Sequence, residues 1–104
     1  MARANTKKKK PETITLESDN VKIEVRPYEK KNLIGFATLI LYDEIYIYNC
    51  KIVDGKNGYF LSMPSYEGSD KSYYNFAYIV KDSDLSKEIN DLVASLEDKE
   101  LPFE

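Results

Sequence analysis

The residues of this sequence that could do chemistry are mainly cations and aromatic rings. Lys7, Lys8, Lys9 and Lys10 form an unbroken basic run before Pro11, and the chain holds nine tyrosines. Clustered lysines bind polyanions by releasing the counterions of phosphate groups, without reading sequence. Exposed aromatic rings can stack on unpaired bases. The first chemistry to consider is therefore non-covalent contact with nucleic acid.

Residues for catalysis or metal binding are scarce. The chain has no histidine and a single cysteine, Cys50, so it lacks an internal disulfide, the usual zinc ligands and a side chain that titrates near neutral pH. A magnesium site of carboxylates needs no histidine. However, Asp43, Glu44 and Asp54 lie at predicted turns, where acidic residues commonly cap backbone amides. We expect no enzyme, no cofactor and no metal site.

Length and charge distribution predict one domain with a basic tail. The 104 residues fit a single small domain, and the longest uncharged apolar stretch, residues 33–42, is far short of the roughly 20 residues that cross a bilayer. Residues 1–12 carry a net charge of +4 and the whole chain −3, so the other 92 residues carry −7. We predict a disordered basic tail over residues 1–20, a domain over residues 21–104, and a cytoplasmic location without a membrane partner. The tail would either hold polyanions or be a solubility or expression-related extension.

The hydrophobic pattern predicts strands followed by one helix. Period-two alternation and turn residues predict strands over residues 21–27, 33–42, 45–54 and 59–63, and a fifth over residues 73–80. Gly35 is typical of a bulge in the second strand. Ser83 is a suitable N-cap for a helix whose apolar stripe would pack on the sheet or on a partner chain. That stripe consists of Leu85, Ile89, Leu92, Val93 and Leu96.

One segment carries a family resemblance. Residues 49–65 contain Asp54-Gly55-x-Asn57-Gly58-x-Phe60-x-x-Met63-Pro64-Ser65, which resembles the signature of the stage V sporulation protein G (SpoVG, septation regulator) family. Supporting matches are Val25-Arg26, Ala37-x-Leu39-x-Leu41, Asp43, Ile89 and Val93. The resemblance covers about residues 21–96. A pattern with this many fixed positions is far more specific than a lone glycine motif.

The resemblance implies both a fold and a function. The fold is α+β, a curved antiparallel β-sheet of about five strands with one C-terminal helix, and the domain is dimeric. The function is binding of DNA and RNA in the control of bacterial gene expression, septation and sporulation, without cofactor or catalysis. In the family, basic residues directly after Met-Pro-Ser are associated with nucleic-acid binding. Here Tyr66 and Glu67 stand at those positions, and only Lys71 supplies positive charge nearby.

The candidate nucleic-acid-binding residues follow from where positive charge remains. The predicted helix carries a net charge of −4 between residues 84 and 100, which repels a duplex. We therefore expect weak, salt-sensitive binding of DNA or RNA through the tail and the lysines of the sheet. These candidates are Lys7, Lys8, Lys9, Lys10, Lys51, Lys56 and Lys71, with Lys22, Arg26, Lys30 and Lys31 around the first turn. For any single lysine, a solvated surface position is the alternative interpretation.

The tyrosines also carry two interpretations. Tyr46 and Tyr48 share a predicted strand face and could stack on single-stranded bases. The alternative is that they fill half-buried sheet surface and dimer contacts, since Cys50 and Ile52 continue the same face and are typical of a core. Cys50 itself is predicted to be a small buried residue.

Two functional hypotheses result. A chain of this size exposes apolar sheet surface and an open edge that it can hardly cover alone, so we predict a homodimer. The first hypothesis is a SpoVG-like regulator that binds nucleic acid. The alternative is a protein-interaction module of the same fold that has lost duplex DNA binding and has another protein as its partner.

Overall fold

The computed structural model describes residues 13–99. Within this range the chain forms one five-stranded sheet, one two-stranded hairpin and one helix that continues into a 3-10 turn. The strands are β1 Ile14–Glu17, β2 Val21–Lys30, β3 Leu33–Leu41, β4 Ile45–Gly55, β5 Gly58–Ser62, β6 Ser65–Glu67 and β7 Tyr73–Asn75. The helix α1 spans Asp84–Ser95, and the 3-10 turn spans Leu96–Asp98.

Strands β1 to β5 pair in sequence order as a curled antiparallel sheet, a half-barrel. The predicted α+β class, with about five strands and one C-terminal helix, is confirmed. The predicted fifth strand over residues 73–80 is wrong, because only Tyr73–Asn75 is a strand. This short strand pairs with Ser65–Glu67 in a hairpin separate from the five-stranded sheet. Alternating aromatic residues favour a strand locally, but a strand also needs a neighbour, and β6 is only three residues long.

The fifth strand of the sheet is β1, which lies inside the segment predicted as tail. β1 pairs antiparallel with β2 from Ile14↔Val25 to Glu17↔Lys22, and Leu16 is buried in the core. The predicted boundary at residue 20 is therefore wrong, since the sheet already includes Ile14. The lysine run of the predicted tail lies outside the described residues.

The core fills the space between one face of the sheet and the helix. Alternate residues of β2 and β3 point inward, and the apolar stripe of α1 packs against them, as predicted. Ser83 is the N-cap, and its Oγ accepts a hydrogen bond from the backbone N–H of Ser86 at 3.1 Å. Cys50 is buried, and its burial raises the pKa of the thiol to about 11. The prediction of a small buried cysteine is confirmed.

Two carboxylates tie the helical segment to the sheet. Near the start of α1, Glu88 accepts hydrogen bonds from the backbone N–H of Asn20, at 2.8 Å, and from the hydroxyl of Ser18. After α1, Glu97 accepts one from the backbone N–H of Tyr59 at 2.9 Å. Two of the acidic residues that sequence analysis treated only as repulsive charge therefore hold the helical segment against the β1–β2 turn and the start of β5.

A β-bulge changes which side chains of β4 face the core. Leu39 pairs with Ile47 and Ala37 pairs with Cys50, so one residue of β3 lies opposite Tyr48 and Asn49 of β4. Asn49 has a φ of 64°, a conformation that asparagine tolerates. The extra residue reverses the alternation beyond it.

The predicted common face for the tyrosines and the core residues of β4 is therefore wrong. Cys50 and Ile52 are fully buried, whereas Tyr46 and Tyr48 are more than half exposed. Gly35 also lies at an irregularity, because the register of β3 against β4 shifts between Leu33 and Gly35. The predicted bulge at Gly35 is confirmed.

Candidate nucleic-acid interface

The face of the sheet opposite the helix carries cations and aromatic rings in register. Arg26 of β2 pairs with Phe36 of β3, Phe36 pairs with Lys51 of β4, and Lys51 pairs with Ser62 of β5. Side chains of directly paired residues lie on the same face, about 5 Å apart at Cβ. Two cations therefore flank one aromatic ring along a single row across four strands.

We call this surface the open face. It is defined by Lys22, Arg26, Phe36, Tyr46, Tyr48 and Lys51. A second row crosses it through Lys22, Ile40 and Tyr46. The centroids of the Tyr46 and Tyr48 rings are 6.1 Å apart, and the rings are 53% and 61% exposed. Rings of this size presented to solvent are available for a ligand with its own flat, apolar face.

The two sides of the domain differ in charge. Lys30 and Lys31 lie at the β2–β3 turn and Lys56 at the β4–β5 turn, which adjoin at one end of the sheet, since the backbone N–H of Asp54 bonds the Asn32 carbonyl at 2.8 Å. These lysines form a basic rim beside the open face, with Glu29 next to them. The open face also holds two carboxylates, because Glu17 of β1 pairs with Lys22 and Glu24 lies between Lys22 and Arg26 on β2. The opposite side carries the acidic helix, with Asp84, Glu88 and Asp91 against Lys87. A domain with net negative charge thus keeps a weakly basic side, where the open face has three cations against two carboxylates and the rim lysines add positive charge.

A groove runs along β4 beside the open face. β5 pairs with Lys51–Gly55 only, so among residues 13–99 no strand covers the outer edge of residues 45–50. The groove has a volume of about 510 Å³. It is lined by residues 46–49 and Lys51 of β4 and by residues 62–65 and 76–77. A volume of this size lies within the roughly 300–1,000 Å³ typical of small-ligand sites.

The structure brings some of the predicted site residues together and separates others. Lys51 lies on the open face and Lys56 on its rim, close along the same hairpin. Lys71 lies at the turn of the β6–β7 hairpin, where its φ is 71°. The same hairpin holds the acidic side chains of Glu67 and Asp70, so Lys71 does not belong to the basic side. Lys7, Lys8, Lys9 and Lys10 lie outside the described residues.

Phe36 was not among the predicted site residues, and base stacking by the tyrosines of β4 was one of two interpretations left open. Phe36 lies in the apolar run of a central strand, so nothing local separates it from the core residues around it. The exposure of Tyr46 and Tyr48 depends on the bulge at Asn49. An asparagine inside an alternating strand was the only local signal of that bulge.

The β6–β7 hairpin and the chain that follows it form an arm, residues 65–80, with aromatic side chains on its surface. Tyr66 lies across from Tyr74, with ring centroids 5.6 Å apart, and 4.9 Å from the ring of Phe76. The Tyr74 hydroxyl donates to Asp70 at 2.7 Å, and with the Ser72 amide it lowers the pKa of that carboxyl. Tyr66, which departs from the family pattern, therefore has a packing role within the hairpin.

The fold and the open face define a small α+β domain with a basic, aromatic sheet surface. The SpoVG family model matches residues 19–96, and the chain belongs to the SpoVG family. This confirms the resemblance carried by the Asp54–Ser65 motif. No curated protein matches the chain.

Family membership gives the broad function. The SpoVG family is regulatory and non-enzymatic, and it is connected with sporulation and septation. Across residues 13–99, no three cysteine or carboxylate side chains gather closely enough to hold a metal ion. No helix in this part of the chain is long and apolar enough to cross a membrane.

Proposed function

We propose that this chain is a cytoplasmic regulator that binds DNA or RNA weakly through the open face and acts as a homodimer. The observation that carries the proposal is the row Arg26–Phe36–Lys51, which places one cation on each side of a partly exposed ring on the sheet face opposite the helix. Cations on such a surface contact phosphates, and the basic rim extends the contact beyond the row.

The charge distribution supports one orientation of approach. The acidic helix lies on the opposite side of the sheet, so a polyanion is repelled from that side and attracted to the open face. Only a few phosphates can be neutralised by Lys22, Arg26 and Lys51 with the rim. The binding constant should therefore be modest and should fall steeply with salt.

A charge-reversal pair tests the open face. We expect Arg26→Glu/Lys51→Glu to weaken binding of a labelled oligonucleotide roughly tenfold or more, and to reduce the slope of log K against log salt by about 1.5 to 2, since two phosphate contacts are lost. The matched control is Lys87→Glu/Lys99→Glu, which makes the same change of net charge on the helix side. Equal loss in both variants would mean that net charge alone governs binding.

A truncation tests the basic tail. The full chain and a chain that starts at Thr13 are titrated with the same labelled DNA and RNA. We expect the truncated chain to retain binding at low salt with reduced affinity, because the open face remains while Lys7–Lys10 are lost. Binding by the full chain only would place the site in the tail and overturn the open-face proposal.

A protein-interaction module of the same fold is the second candidate function. Phe76, Tyr78 and Val80 on the arm are 70%, 69% and 64% exposed, and exposed apolar residues in one segment are typical of a surface that contacts protein. Absence of binding to either nucleic acid even at low salt would favour this candidate over the regulator that binds nucleic acid.

A further inference from the structure

We propose that the groove along β4 holds unpaired bases, so that the chain binds a single-stranded nucleic acid in preference to a duplex. This inference rests on the proposed function, because the phosphates of the same strand are bound by the open face. Tyr46 and Tyr48 stack on the bases, and Lys51 contacts the backbone between them. The unpaired bases can belong to RNA or to DNA.

The two tyrosine rings supply the stacking surface. The bulge at Tyr48 and Asn49 turns both rings away from the core, and the planes of the two exposed rings are tilted by 39° to one another. Stacking on such rings tolerates any sequence, because every base has a π-face. In a duplex those faces are occupied by neighbouring bases, so only an unpaired strand can use the tyrosines.

The walls of the groove add polar groups of the right kind. Asn49, Ser62 and Ser65 line it, and their side chains can donate to and accept from base edges. The uncovered backbone edge of residues 45–50 offers further N–H and C=O groups. Lys51 is the only charged residue among those that line the groove. The groove therefore carries one positive charge and no negative charge, and this favours a ligand with phosphate groups.

The same bulge argues against a β-strand as the occupant. Addition of a strand to a sheet edge needs a regular row of backbone groups. The extra residue at Tyr48 and Asn49 interrupts that row after the short stretch from Ile45 to Ile47, and bulges are one of the ways in which proteins prevent edge pairing. A flat base, unlike a strand, needs no continuous register.

The test compares one oligonucleotide as a single strand and as a duplex with its complement. We expect Tyr46→Ala/Tyr48→Ala to weaken binding of the single strand roughly tenfold or more, while binding of the duplex changes less than twofold. Tyr46→Phe/Tyr48→Phe, which keeps both rings, should bind the single strand nearly as wild type does. Tyr73→Ala, which removes a ring that is 71% exposed outside the groove, is the matched control.

A spectroscopic measurement adds a direct signal. The chain has no tryptophan, so its intrinsic fluorescence comes from tyrosine, and stacked bases should quench it. Quenching by the single strand should be reduced in Tyr46→Ala/Tyr48→Ala and kept in Tyr73→Ala. Equal quenching in both variants would contradict stacking at the groove.

The outcomes separate this inference from the proposed function. Failure of the wild-type chain to bind either probe at low salt would contradict the proposed function itself. Binding of the wild-type chain with no loss in Tyr46→Ala/Tyr48→Ala, or with equal loss for single strand and duplex, would overturn the base-stacking groove alone. Quenching of tyrosine fluorescence by an uncharged peptide but not by the single strand would identify the groove as a protein site and would also overturn the proposal.

Discussion

Gly58, in the family motif, is held by two independent constraints. Its φ is +116°, which L residues rarely adopt, and a Cβ placed there would lie 2.7 Å from Oε2 of Glu97. The same carboxylate accepts the hydrogen bond from Tyr59. A side chain at Gly58 would therefore strain the turn and displace one of the two carboxylates that hold the helical segment.

We expect Gly58→Ala to destabilise the fold by about 1–3 kcal/mol, the usual effect of forcing a strained backbone conformation on a non-glycine residue. The measurement is the free energy of unfolding by urea. Gly55→Ala is the matched control, because Gly55 has an ordinary φ and the atom nearest to its added Cβ belongs to the ring of Phe60, which can move. Equal stability of the two variants would contradict the role given to Gly58.

Prediction from the sequence at single residues succeeded where the signal was local. Ser83 as N-cap and Cys50 as a buried residue follow from residue type and immediate neighbours, and both are confirmed. The faces of Tyr46 and Tyr48 were wrong, because an alternating pattern looks continuous unless the bulge within it is known. That bulge depends on the pairing of β4 with β3, which is not a local property.

At the scale of elements, ionised Glu88 helps to hold α1 against the β1–β2 turn. Hydrogen bonds from the Ser18 hydroxyl and the Asn20 amides hold the pKa of Glu88 below its ordinary value of 4.5. A carboxyl whose pKa is lowered in the folded state stabilises the fold at pH values above the pKa that it has in the unfolded state. This stabilisation is lost as the pH falls from 4.5 through the lowered pKa of Glu88 in the folded state.

Glu88→Gln tests this dependence. We expect the variant to have a lower Tm than wild type at neutral pH, and the difference to shrink as the pH falls below 4.5. Thermal unfolding followed by circular dichroism over that range is the measurement. Asp91→Asn, at an exposed position of the same helix, should leave the Tm nearly unchanged. A Tm difference for Glu88→Gln that is constant over the whole range would contradict the linkage.

Elements were predictable where the chain carries both a pattern and its boundaries. Strands β2 to β5 have alternation or apolar runs between recognisable turns, and α1 has a cap and a stripe. β1 has only four residues next to a polar segment, so its formation depends on the neighbouring β2. Residues 73–80 have strand-like composition without a strand to pair with beyond Asn75. Long-range pairing decided both cases.

At the scale of the whole molecule, the structure gives a different reason to expect a dimer than the sequence does. The helix covers one face of the sheet, so the apolar sheet surface is smaller than expected. The exposed apolar residues of the arm remain. We infer that two copies associate through Tyr78 and Val80 at the end of the arm, which would place two open faces on one body and raise the affinity for a long nucleic acid by avidity.

Light scattering coupled to size exclusion tests the dimer. We expect a dimer for wild type at micromolar concentration and a monomer for Tyr78→Asp/Val80→Asp. Each copy of the variant would bring two aspartates to the symmetric interface, so that four charges would have to be buried there. Lys81→Asp, next to the arm, is the control for added negative charge. A monomeric wild type would contradict the dimer, and a dimeric Tyr78→Asp/Val80→Asp would contradict the interface.

The bulge at Asn49 has an evolutionary corollary. Because one extra residue uncouples the solvent-facing side chains of β4 from those that fill the interior, substitutions at Tyr46 and Tyr48 can accumulate without disturbing Cys50 or Ile52. Variants of this chain that keep the bulge can therefore differ in what they recognise while their folding stability is unchanged. Loss of that single codon would remove this freedom, because each tyrosine position would again share its face with the hydrophobic interior.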